Sequence, residues 1–373
     1  MLHKNILLAT RPLVPPWDEA SKNFAYFLGK EIRDNELTLL TTKESLTGLP
    51  ASVRQESIFS SGHFSLKAKY ELLRYLRKAR GQFDVTHYLF TPTKQNTGLI
   101  RWLARPTHGK TVQTVATLRD DLYSPEELRQ LLFADRIVTY TDRSKQTLEH
   151  LGFRNVTRIY PGVDLERYQP QPKNQEILTR LGFAAEHFIV VYPGEYVRLG
   201  ATDMLTEAFV DFFKKHPGTD IRFVFACRVK NDADAKKKEE VRKRFADADL
   251  LGYVAFSDTI SDMPALYNSS DLVVFPVENL RGKFDVPLVI IEAYACGKPV
   301  ILSDLPQFAE FSNSNICVTI PRGSSEKLIE SVAHLKQNVS ERHHLGGNAR
   351  HFVENHFDLK NTAKQYEEIY ASL

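Results

Sequence analysis

Cysteine is scarce in this chain of 373 residues. There are three, Cys227, Cys296 and Cys317, and they are scattered. No CxxC pair and no Cys/His ligand spacing occurs, which argues against a disulfide scaffold and a structural zinc, and points to a reducing compartment. Each reads as a small buried hydrophobe. Long apolar runs are missing too. The first, Ile6 to Thr10, is far short of a signal-peptide core and reads better as an opening strand, and no stretch reaches the length of a membrane-spanning helix. The expectation is a cytoplasmic protein, soluble or peripheral at the inner membrane face. An excess of one charge is also lacking: the formal net charge is +3, too little to argue for nucleic acid. Neither half carries GxGxxG after its first strand, and GxxxxGK[ST] and HExxH are absent, so a nicotinamide dehydrogenase, a P-loop ATPase and a zincin lose their main warrants.

What is present is an alternation. Strand-like runs at Ile6–Ala9, Leu37–Thr41, Asp84–Phe90, Thr111–Val115, Asp135–Tyr140 and Val156–Tyr160 are separated by helical patterns such as Ser21–Leu28 and Asp142–Leu151. The segment 160–175, YPGVDLERYQPQPKNQ, is polar, rich in Pro and without period, and is the best domain boundary. The alternation then restarts with strands at Phe188–Tyr192, Ile221–Ala226, Tyr253–Phe256 and Leu272–Pro276. This predicts an α/β protein of two doubly wound domains, 1–169 and 170–358, with a central cleft between them for a small ligand.

The second domain centres on Lys283–Asp304, KFDVPLVIIEAYACGKPVILSD. A loop with Gly282 and Pro287 leads into a helix that stops at Gly297, just before Lys298-Pro299, and a new strand Val300–Leu302 follows. In such a βαβ unit ligands sit beyond the carboxyl ends of strands, against helix N-termini. Glu292 is an acid within an otherwise apolar helix and needs hydrogen-bond donors, which a polyol would supply.

Several features carry two readings. Asp18, Glu19 and Lys22 lie where the first strand meets the first helix and are candidates for acceptor contact, or for helix capping. Trp17 is a candidate for stacking on a sugar, or is simply packed. His87, in a strand pattern, reads as a satisfied core histidine ahead of a catalytic one. The mixed run 236–244, KKKEEVRKR, reads as a solvated helix face. The helix 64–80 carries Lys67, Lys69, Arg74, Arg77, Lys78 and Arg80, with Leu66, Tyr70, Leu73 and Leu76 as its apolar side. It is a candidate for docking on anionic lipid, with an ordinary surface helix as the alternative.

Four stretches resemble the family 4 retaining glycosyltransferases, which have the GT-B fold of two Rossmann-like domains facing a cleft. They are ADRIVTYTDRSKQTLEHLG (134–152), NVTRIYPGVDLERYQP (155–170), VYPGEYVRLGATDMLTEAF (191–209) and, most specifically, LYNSSDLVVFPV with VPLVIIEAYACGKPVILSD (266–304). The resemblance implies a hexose transferred from a nucleotide diphosphate sugar to an acceptor hydroxyl with retention, in glycan or glycolipid synthesis. The acceptor would be a glycan, a lipid-linked molecule or a small molecule; no nucleic acid, metal or cofactor is implied. Glu292 would bond the ribose, and Phe284, Asp285, Val286, Pro287 and Leu288 would line the hexose and diphosphate. The final helix, 359–373, would cross back onto the N-terminal domain. The chain departs from the family pattern in places. Phe284 stands where a second Glu is usual, leaving Asp285 as the nearest acid. The usual Arg after Gly194 is Glu195 and the usual Lys is Gly200, leaving Arg198, Arg228 and Lys230 as candidate cations. Ala116 replaces a His, and Pro15 to Glu19 replace a Gly-Gly. Asp285 and Arg198 are thus the candidate catalytic residues. Two alternatives stay open: a catalytically silent protein of this fold that binds a nucleotide-sugar or a partner, and a nucleotide-sugar epimerase on the same scaffold.

Overall fold

A computed structural model describes residues 3–15, 17, 19–257 and 262–373. The chain divides into two compact units. One comprises Met1–Asp164, Gly282–Val286 and Phe357–Leu373, the other Leu165–Arg281 and Pro287–His356.

The first unit runs β1 (Asn5–Leu13), α1 (Ala20–Glu31), β2 (Glu36–Thr41), β3 (Val53–Ser57), α2 (Leu66–Lys78), β4 (Val85–Tyr88), α3 (Lys94–Leu99), β5 (Lys110–Val115), α4 (Pro125–Leu131), β6 (Arg136–Thr139), α5 (Asp142–His150) and β7 (Val156–Arg158). The strands form one parallel sheet in the order β3-β2-β1-β4-β5-β6-β7. Ile6, Leu7, Leu8 and Ala9 of β1 are at most 1% exposed. An unbroken apolar run of this kind marks a strand covered on both faces. β1 is longer than the sequence predicts. Of Arg11–Leu13, read as loop, Leu13 pairs with Thr41 of β2 after a register shift between Leu8 and Leu13, so Pro12 sits at an irregularity, where a missing N–H is tolerated.

The second unit runs α6 (Gln175–Leu181), β8 (Phe188–Tyr192), α7 (Thr202–Lys215), β9 (Ile221–Ala226), α8 (Asp232–Asp247), β10 (Val254–Ser257), α9 (Met263–Ser269), β11 (Leu272–Phe275), α10 (Leu288–Ala295), β12 (Val300–Ser303), β13 (Val318–Ile320), α11 (Ser325–Gln337) and α12 (Val339–His356). Its parallel sheet has the order β10-β9-β8-β11-β12-β13. The order reverses at β8 and β11, the kind of switch point at which open α/β sheets bind ligands. α10 ends as its Gly predicts. Gly297 has φ of 68°, its N–H bonds Tyr294 O at 2.9 Å and the Lys298 N–H bonds Ala293 O at 3.0 Å, a Schellman stop. The three cysteines are buried and unbridged.

The last helix, α13 (Leu359–Ser372), belongs to the first unit. It comes so close to the 156–164 segment that a Cβ on Gly162 would lie 2.4 Å from Leu359 Cα, so only glycine fits there.

The structure divides the apolar side read for the 64–80 helix between two faces. α2 buries Ala68, Leu72 and Leu76, spaced four residues apart, against the sheet, while Leu66 and Tyr70 are 82% and 64% exposed. The stripe of one-turn spacing that starts with a small residue wins, because Ala68 lets the helix come close to its core neighbours Ile100 and Ala104.

Candidate functional site

The loop leaving β8 passes through Gly194 to Glu195. A Cβ on Gly194 would stand 2.0 Å from Tyr192 Cζ, so the glycine is required by the ring that folds back beneath it. That ring's hydroxyl donates to Glu195 O at 3.4 Å, and the Thr202 hydroxyl donates to the same carbonyl at 3.3 Å. Glu195 is buried, at 5% exposure. Its carboxylate accepts from Arg198 Nε at 2.6 Å and Nη2 at 2.7 Å, and from the Lys230 ammonium. Lys230 leads into α8, its N–H on Asp234 Oδ2 at 3.2 Å, and Arg228 lies half-buried two residues earlier. The structure therefore brings two of the three candidate cations together, on the acid that stands where a cation was expected. Two positive groups share one carboxylate, and both cations are held in place by charge-assisted bonds.

Glu292 lies on α10, 9% exposed. The Tyr267 hydroxyl donates to Oε2 at 3.4 Å. Burial pushes the carboxyl up to about 7, against the opposing pull of the Tyr168 hydroxyl bond, the Arg167 charge and Tyr267. The Tyr168 and Tyr267 phenols are themselves held well above their usual range by burial first and the Glu292 charge second. The sequence pattern does not reveal these three neighbours: Arg167 and Tyr168 lie in the segment read as linker, and Tyr267 in α9. At the start of α10, Pro287 brings no side-chain cap and its carbonyl takes the Ile290 N–H at 3.0 Å, so the Leu288 and Val289 N–H groups keep their capacity for an anion or acceptor.

The segment before α10 sits differently. Residues 282–286 belong to the first unit. The Asp285 N–H bonds Ala116 O at 2.9 Å, and Lys283 O accepts from the Thr117 hydroxyl at 2.8 Å. The Asp285 carboxylate accepts from the Leu118 N–H at 3.2 Å and from the Ser144 hydroxyl at 2.6 Å. Burial drives this acid up to about 7, with the Ser144 and Leu118 bonds opposing. Phe284 packs edge-on against Tyr140, with ring centroids 5.5 Å apart. Val286 and Pro287 are buried and Leu288 half-buried. So Asp285 spends both oxygens within the first unit, while Glu292 is held by tyrosines of the second. Ser144 and Tyr140 lie in 134–152, a stretch whose resemblance assigns no role to either.

Of the proposed acceptor loop, Asp18 lies outside the described residues. Trp17 stacks on Tyr26, centroids 4.1 Å apart and planes 13° from parallel. Glu19 stands at the N-cap of α1 without a side-chain cap bond and pairs instead with Arg11, which corrects its capping reading. Lys22 is buried and donates to Val14 O at 3.3 Å. His87 is the core histidine: fully buried, Nδ1 is 2.7 Å from the Tyr370 hydroxyl and Nε2 2.7 Å from the Thr114 hydroxyl. Burial lowers it to about 3.

Among the described residues, no helix is long and apolar enough to cross a membrane.

Comparison with known proteins agrees with this architecture. Residues 187–338 match the profile of the family described as Glycosyl transferases group 1. The chain is 25% identical over 268 residues to a D-inositol 3-phosphate glycosyltransferase of Thermobispora bispora, covering 65% of this chain and 58% of that protein. To the protein of the same description from Salinispora arenicola it is 26% identical over 286 residues, 70% of this chain and 59% of the other. The chain thus spans a little under three fifths of the length of these two relatives. Anabaena HepE, crystallised with UDP-glucose, superposes with a TM-score of 0.75 at 18% identity over the whole of both chains. Sucrose-phosphate synthase from Thermosynechococcus elongatus does so with a TM-score of 0.76 at 16% identity over 98% of each. The fold is GT-B.

Proposed function

We propose that this chain, a divergent member of the group 1 glycosyltransferase family through residues 187–338, moves a hexose from a nucleotide diphosphate sugar to an acceptor hydroxyl. The observation that carries the reading is Glu292: a buried carboxylate on the helix that follows β11 at the switch point, poised to accept the two hydroxyls of a ribose. Arg198 and Lys230, fixed by Glu195, serve the diphosphate, with Arg228 beside them, and the open first turn of α10 adds backbone donors. Phe284, Val286, Pro287 and Leu288 lie along the loop toward the hexose, and Asp285 acts as the positioning residue that ties this loop down. The acceptor oxygen bonds the anomeric carbon on the face from which the diphosphate leaves. The anomeric carbon–oxygen bond to phosphate breaks, and the acceptor's proton passes to the departing phosphate oxygen, with net retention. The supporting likeness is to proteins described as glycosyltransferases, and HepE was crystallised with UDP-glucose.

Glu195 favours one second reading. An acid among the cations weakens a phosphate site, as it would in a silent protein that binds a nucleotide-sugar without transfer.

The test is a thermal-shift panel of uridine, guanosine and adenosine diphosphate hexoses. A donor at about a hundred times its Kd stabilises by about 2.7 kcal/mol. One donor is expected to shift the wild type and to lose its effect on Glu292→Ala, with nucleoside diphosphate released once a suitable acceptor is added. No shift from any donor overturns the reading, and a shift without release or hydrolysis selects the silent one.

A further inference from the structure

α2 presents two apolar faces. One packs inward through Ala68, Leu72 and Leu76, and the other carries Leu66 and Tyr70 outward at 82% and 64% exposure. The outward face is strongly positive: Lys67, Lys69, Arg74, Arg77 and Lys78 are set against one acid, Glu71. Glu71 is occupied by the Ser60 N–H at 3.2 Å. Among the described residues, none of these five cations forms an ion pair; Lys69 reaches only the Phe64 ring. α8 is the internal control. It is as highly charged and is answered in part: Lys237 pairs with Asp203 and Glu240, and Lys243 with Asp247, while Lys236, Arg242 and Arg244 form no ion pair among the described residues. Charges on a solvated helix are commonly answered by neighbouring acids in this way, and those on α2 are left unanswered.

Beside this face, between α2 and the end of β3, lies a cavity of about 390 Å³ lined by Lys67, Tyr70, Glu71, Arg74 and Lys78 among others. Three cations against one carboxylate, Glu71, which already accepts from the Ser60 N–H, leave this hollow positive and suited to a phosphate group. Tyrosine, with an apolar body and a polar tip, and leucine are the side chains that enter a lipid interface, while lysine and arginine reach the headgroups.

We infer that the outward face of α2 docks the protein onto an anionic phospholipid surface, with Leu66 and Tyr70 entering the interface and one headgroup phosphate seated between Lys67, Arg74 and Lys78. This goes beyond the transfer reaction and does not rest on it, because binding is read without turnover.

The experiment is flotation of the full chain with vesicles of phosphatidylcholine alone and of phosphatidylcholine mixed with phosphatidylglycerol. The protein is expected to float with the mixed vesicles only, and to be released as salt rises. Lys67→Gln/Arg74→Gln/Lys78→Gln is expected to weaken partitioning on the order of 100-fold. Leu66→Ser/Tyr70→Ser is expected to weaken it about 10-fold and to make the remainder more salt-sensitive. All five positions are on or near the surface, and an unchanged melting temperature separates lost docking from lost folding. Absence of vesicle binding, equal binding to neutral vesicles, or a triple variant that floats like the wild type would each overturn the inference. So would displacement from vesicles by millimolar glycerol 3-phosphate, which would make the hollow a site for a free phosphate.

Discussion

Arg198 and Glu195 meet fork to fork: Nε and Nη2 donate to the two oxygens of one buried carboxylate, at 2.6 and 2.7 Å. The pairing is specific to guanidinium geometry, and Lys230 closes on the same acid. A diphosphate reaching these cations must compete with Glu195 for the same donors. Glu195→Gln keeps the shape and removes the charge. Calorimetric titration is therefore expected to find the wild type's nucleoside diphosphate bound about 10-fold more tightly by the variant at low salt, an advantage that shrinks as salt is added. Equal affinities would take Arg198 and Lys230 away from the diphosphate.

Glu292 makes stability fall as pH rises. Its folded carboxyl titrates near 7, raised by burial from the ordinary 4.5. Between those values the folded chain holds a proton that the unfolded chain has lost, so the slope of stability with pH is negative, and the penalty is complete above the folded value. The shift corresponds to roughly 3 kcal/mol. Glu292→Gln is expected to gain most of this at about pH 8 and little at about pH 4.5, as read from urea midpoints at the two pH values. A donor whose hydroxyls bond the ionised form will also release a proton on binding near pH 7, seen as a buffer-dependent heat that the variant lacks.

His87 has the opposite sign. Burial holds it near 3, so between that value and its ordinary 6.5 the unfolded chain binds more protons. Its contribution is present above about pH 6.5 and is lost as pH falls toward about 3. His87→Ala removes a ring packed against Tyr366 and strips the Tyr370 hydroxyl of its partner. A loss of about 3–5 kcal/mol at about pH 7 is expected in urea unfolding. Donor affinity, measured below the transition, is expected to stay at wild type, as suits a core histidine.

Much of the fold is legible because a parallel sheet covered on both faces demands unbroken apolar strands, and Ile6–Ala9 and Phe188–Tyr192 have that form. The stop at Gly297 is legible because the left-handed backbone there calls for glycine. β3 escapes notice because four of its five residues are exposed: an edge strand owes little to apolar pattern. Leu66 and Tyr70 read as one apolar side with Leu73 and Leu76 because two stripes of similar period run along α2, and only the core decides between them. The shell of Glu292 is hidden by distance along the chain, since Tyr267 is 25 residues away and Tyr168 farther still. Glu195 reads as a lost cation. Its role becomes visible only with Lys230, 35 residues later, on the same carboxylate.

The position of α13 bears on how the protein is made. Tyr370 completes a bond to His87 across 283 residues, and Tyr366 one to Thr114 across 252. Both tyrosines are fully buried. During synthesis the first unit to emerge from the ribosome therefore lacks two of its largest core side chains until all of Leu165–His356 has been translated. The unit begun second is the first with all its residues in hand. Synthesis runs from one end, and completion of the cores runs in the reverse order, so the nascent first unit depends on staying unaggregated while it waits.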